Sequence, residues 1–112
     1  MSAYEIPNLR FSAEAGGVVS KARFVSINAT EQGIQAVAGG LVVGASMNQT
    51  KAGEVLEIAD GIVRVEAAAV LAAGVKVASD ANGKAVAYST GEIAGVTITA
   101  SKNIGELISV KI

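Results

Sequence analysis

Cysteine, histidine and tryptophan are all absent from the 112 residues, and proline occurs once. Without cysteine there are no disulfides, no thiolate nucleophile and no Cys-based zinc site. Without histidine the commonest general base and the commonest metal ligand are missing too, so neither Ser–His–Asp nor Cys–His chemistry can be assembled. Nine basic and ten acidic residues leave a formal charge of −1, which gives no electrostatic case for nucleic acid. No uncharged stretch is long and apolar enough for a bilayer helix: the apolar centre Ala36–Ala45 is about half the required length. Met1–Glu5 lacks the basic-then-apolar order of a secretory signal, so synthesis in the cytoplasm is expected.

What the chain does contain is 21 Ala, 15 Val, 10 Ile and 13 Gly, a strand-and-turn composition. Strands are predicted near Arg23–Ile27, Ile34–Val37, Leu41–Ala45, Val55–Ile58, Ile62–Val65, Val75–Ala78, Lys84–Ala87, Ile93–Thr99 and Glu106–Ile112. Turn residues recur between them at intervals of about ten, as in a sandwich or small barrel. The order of strand, turn glycine, strand and Gly-Glu-led strand returns after about 50 residues, indicating an internal repeat. The expectation is an all-β fold, a compact antiparallel barrel or sandwich of two similar halves. Residues 16–112 form the single domain, with pseudo-repeats at about 19–66 and 67–112, and residues 1–15 an extended N-terminal arm. Ala67–Ala73 is the one stretch with helical propensity, enough for one or two turns before Gly74.

Two local features invite closer reading. Asp60-Gly61 has the chemistry of a two-residue hairpin turn. That register sets Leu56, Ile58, Val63 and Val65 on one face and Glu57 opposite Arg64. Asp80-Ala81-Asn82-Gly83 begins like a calcium loop, but Gly91 falls where the closing Glu is needed, so a turn is expected and no metal. Among the carboxylates Glu54, Glu57, Asp60, Glu66, Glu92 and Glu106 a catalytic pair is conceivable, but most fall at strand ends or on solvated faces. No catalytic, cofactor or metal residue is nominated, and the chain is expected not to be an enzyme. Neither a cofactor nor a small-molecule substrate is expected.

The segment Met1–Phe11 holds Tyr4 and Phe11, two of the four aromatics, with Ile6 and Leu9, and Pro7 keeps it extended. Lying ahead of the repeats, it is an apolar arm that either packs on its own barrel or is held by another chain; the second reading is favoured, with a fold that does not need the arm.

The runs Gly16–Val25, Gly40–Ala45, Ala52–Ile58, Gly61–Val65, Ala72–Val86, Ile93–Val96 and Gly105–Val110 resemble the small capsid decoration, or cement, proteins of tailed bacteriophages. The resemblance covers about residues 16–112. It implies a structural virion protein on the outer capsid surface, a homotrimer at local threefold positions whose partner is the major capsid protein, bracing the lattice against packaged DNA. In that setting Tyr4, Ile6, Pro7, Leu9, Arg10 and Phe11 are the expected capsid contacts, with no nucleic-acid or membrane partner. The rival reading is a non-enzymatic β-barrel adaptor or carbohydrate-binding module, for which a chain with two Tyr and no Trp is poorly equipped.

Overall fold

A computed structural model describes residues 3–112. All regular structure among them is β. The strands are β1 (Ile6–Glu14), β2 (Phe24–Ile27), β3 (Gly33–Gln35), β4 (Gly44–Ser46), β5 (Val55–Glu66), β6 (Lys76–Ser79), β7 (Ala85–Ala87), β8 (Gly95–Thr97) and β9 (Leu107–Lys111). They form one curled antiparallel sheet in the order β3-β2-β4-β5-β9-β8-β6-β7, with β1 paired to β5. Ala67–Ala73 contains no helix. Ala67 bridges Ala85 and Leu71 bridges Ser101, so tertiary pairing overrides alanine's helical preference there.

The expected hairpin at Asp60-Gly61 is not formed. β5 runs straight through both residues for 12 positions. Gly61 does adopt the positive φ that suggested a turn, 95°, but it uses that freedom to admit a neighbouring backbone. A Cβ at this position would lie 2.5 Å from the Asn8 nitrogen and 2.8 Å from the Ile6 oxygen, both on β1. Opposite it, β1 carries a bulge: Pro7 pairs with Gly61 and Arg10 with Ala59, leaving Asn8 and Leu9 against Asp60 alone. The Asp60 carboxylate accepts the Leu9 N–H at 2.9 Å. Glu57 and Arg64 therefore stay apart on one strand. Glu57 accepts a hydrogen bond from Ser12, and Arg64 pairs with Glu5 at 2.7 Å.

The arm expected outside the core is likewise part of it. Phe11 and Ala13 pack against buried Leu56 and Ile58, and Ala15 is fully buried beside them. The reason is period-2 alternation: Phe11, Ala13 and Ala15 point inward while Ser12 and Glu14 face solvent.

Strand pairing recurs along the chain. Phe11↔Ile58 between β1 and β5 returns as Val63↔Val110 between β5 and β9, an offset of 52 residues. Val25↔Gln35 returns as Val77↔Ala87 with the same offset. The parallel bridge Ala15↔Gly33, which curls the first half back on itself, returns as Ala67↔Ala85. The interiors correspond too: Ala15, Val19, Val25, Leu56 and Ile58 fill one half, and Ala67, Leu71, Val77, Ile108 and Val110 fill the other. β5 closes the first half and opens the second.

The halves meet through a charged junction. Arg23, just ahead of β2, donates to Glu66 at 3.2 Å and to the Asn82 carbonyl at 3.2 Å. Lys84 reaches the other Glu66 oxygen at 2.9 Å. The hydrogen bond from Lys84, with Arg23 close by, holds the Glu66 carboxyl below its ordinary value of 4.5 despite the opposing effect of burial. A carboxyl with a depressed folded-state pKa stabilises the fold above that ordinary value and ceases to as pH falls through the lowered one. Glu66→Gln is expected to cost about 1 kcal/mol at neutral pH. In urea melts the difference from wild type should shrink in acid as the wild-type carboxyl protonates. A difference that grew with acid would show that Glu66 is not the shared anion.

Candidate docking surface

The N-terminal strand carries the surface most suited to contact. β1 is hydrogen-bonded to β5 along one side, and its burial pattern is exposed over the first five residues. The bulge at Asn8–Leu9 turns Leu9 outward, so that Ile6 is 60% and Leu9 55% exposed. Pro7, which has no N–H to donate, is tolerated because this is an outer strand. Arg10 is exposed beside them.

Before β1 the chain crosses over β5 onto β9. The Tyr4 N–H donates to Ser109 Oγ at 2.6 Å, and the same hydroxyl donates back to the Tyr4 carbonyl at 2.6 Å. Glu5 adds its ion pair to Arg64, the residue opposite Ser109 across the β5–β9 ladder. The backbone is thereby tied down while Tyr4 as a whole remains 37% exposed. Of the six nominated contact residues, five thus present surface. Phe11 is half-buried against Leu56 and Ile58 and serves mainly as packing.

The remaining concavities are shallow. One of about 690 Å³ lies among Ala3, Arg64, Thr99, Lys102, Glu106 and Leu107. Two of its charged members are already engaged: Arg64 holds Glu5, and the Glu106 carboxylate accepts the Lys102 backbone N–H at 3.2 Å. Asp80 likewise spends a carboxylate oxygen on the Asn82 and Lys84 N–H groups, each at 2.8 Å, shaping the β6–β7 turn. Among the described residues no group of three or more His, Cys, Asp or Glu side chains is placed to hold a metal ion. What the geometry offers is apolar contact area on a rigid strand.

No protein-family model matches the sequence, and neither does any curated protein sequence. A solved structure does match in three dimensions. The chain is similar to the head fiber gp8.5 N base in bacteriophage phi29, with a TM-score of 0.74 over 91% of each chain at 15% identity. The two share a fold.

The junction of Arg23, Glu66 and Lys84 was not singled out from sequence. Its signal lies in the departures from the repeat: Arg23 and Lys84 occupy the positions where the other half has Val75 and Gln32.

Proposed function

We propose that this protein is a non-enzymatic structural component of a phage virion. It binds the outer surface of the capsid and stabilises the major capsid protein lattice, acting as a homotrimer at local threefold positions. The observation that carries the reading is the fold shared, over nearly the whole chain, with a phage head fiber base. The apolar surface of β1 supports it, because a cement function requires affinity and no turnover. Tyr4, Ile6 and Leu9 are the anchors, with Pro7 and Arg10 at their margin. Covering the three anchors removes roughly 250–300 Å² from water, a gross stabilisation of about 6–7 kcal/mol per copy before the costs of docking.

The test is the triple variant Tyr4→Ala, Ile6→Ala, Leu9→Ala, measured on expanded, undecorated heads alongside thermal melts of the free protein. All three side chains are exposed, so the melting temperature should stay nearly constant. Binding should weaken by about a hundredfold or more, since three linked footprints multiply the loss. Undiminished binding would remove β1 as the docking surface.

A further inference from the structure

The internal repeat leaves one half covered and the other bare. In the first half, the outer face of β2 and β4 (Phe24, Ala45, with Ala36 beyond β3) is buried against the second half. The second half's Asp80–Lys84 turn closes over that face: the Phe24 N–H donates to the Gly83 carbonyl at 2.7 Å. The matching positions in the second half are Lys76, Val96 and Tyr88, given by Phe24↔Ala45 returning as Lys76↔Val96. All three are exposed. The Tyr88 N–H donates to the Lys76 carbonyl just as Ala36 donates to Phe24, yet no turn closes over the Lys76 N–H as Gly83 closes over that of Phe24.

The complementary element is bare as well. The turn Asn28–Gln32 matches Asp80–Lys84 bond for bond: Asn28 Oδ1 accepts from the Thr30 and Gln32 N–H groups as Asp80 does from Asn82 and Lys84. Glu31 stands at the Gly83 position and keeps its positive φ, 66° against 75°. Ile27, which matches the buried Ser79, is an exposed apolar side chain.

We propose that copies of this chain associate head to tail, the Asn28–Gln32 turn of one docking on the Lys76–Tyr88 face of the next. The contact repeats between chains the one that joins the two halves within a chain. Charge favours it: Glu31 would arrive at Lys76, and its carbonyl at the Lys76 N–H. Shape favours it too. A Cβ at Gly83 would meet Gln35 Cγ at 2.8 Å, but the residue matching Gln35 is Ala87, which has no γ-carbon. The larger residue on the turn is thus matched by a smaller one on the face. Such an interface is heterologous, so it generates a closed ring where the rotation permits. The inference rests on the self-association in the reading above; the choice of surface rests on the repeat.

The absence of cysteine makes the test clean. The Cβ position at Gly83 lies 3.2 Å from Arg23 Cβ, so the matching pair, Glu31 and Val75 of adjacent copies, lies near disulfide range. The full-length Glu31→Cys/Val75→Cys variant should oxidise to reducible covalent oligomers, with each single-cysteine variant remaining unlinked. Glu31→Cys/Ala87→Cys repeats the test at an exposed face position should Val75→Cys disturb packing. In sedimentation, Glu31→Lys and Lys76→Glu should each weaken self-association about tenfold, and their combination should restore it. Monomer bands from both double-cysteine variants, or self-association indifferent to both charge changes, would overturn the interface. A monomer that still binds heads would overturn it and leave the capsid reading standing; cross-linked oligomers that ignore heads would do the reverse.

Discussion

Deleting residues 2–11 should unfold this protein at a much lower temperature, not merely weaken its contacts. The deletion removes Phe11 from the side of Leu56 and Ile58 and takes four of the seven paired positions of β1 from β5. Losing a half-buried Phe together with four ladder pairs costs about 3 kcal/mol or more. At about 4–8 °C per kcal/mol for a domain of this size, the melting temperature should fall by at least about 12 °C. The Tyr4/Ile6/Leu9 triple variant is the control, because it keeps the ladder and Phe11. A truncated protein that melts like the full chain would show that β1 is a dispensable appendage after all.

The second large effect belongs to Gly61. Gly61→Val meets two penalties: a β-branched residue at φ 95°, and a Cβ driven into the β1 backbone at 2.5–2.8 Å. Strain of this kind costs about 1–3 kcal/mol and overpacking about as much again, so a loss of about 3 kcal/mol or more is expected. Gly53 provides the comparison. Its φ is 85° but nothing lies within 4 Å of the added Cβ, so Gly53→Val incurs the strain alone. Equal melting temperatures for the two variants would mean that β1 does not approach β5 as described.

The error at Gly61 shows what a sequence can and cannot disclose. Alternating Leu56/Ile58 and Val63/Val65 mark extended chain on either side of Asp60-Gly61, and both runs are extended, as parts of the single strand β5. The dipeptide also announced its positive φ correctly. Positive φ serves a turn or a bulge equally well, and the choice between them depends on β1, about 50 residues earlier, approaching that point. Local chemistry carries no record of so distant a neighbour. Ala67–Ala73 fails similarly, its propensity overruled by bridges to Ala85 and Ser101. The arm is different, because Phe11, Ala13 and Ala15 alternate with Ser12 and Glu14 in plain view. For the docking surface, Tyr4, Ile6 and Leu9 were readable as apolar residues lacking a helix to bury them, whereas the Asn8–Leu9 bulge that turns Leu9 outward was not.

β5 joins seven paired positions with β1 to five with β9 in one unbroken length of chain. A tension drawn along that strand loads its backbone hydrogen bonds in parallel, because sliding β5 past its neighbours requires many to break together, whereas peeling would break them one at a time. The molecule is therefore mechanically anisotropic, stiff along β5 and soft at the β3 and β7 margins. A pull entering at the N-terminal strand reaches the far half without crossing a loop. Survival under such a load is governed by the rate of rupture, a property separate from equilibrium stability.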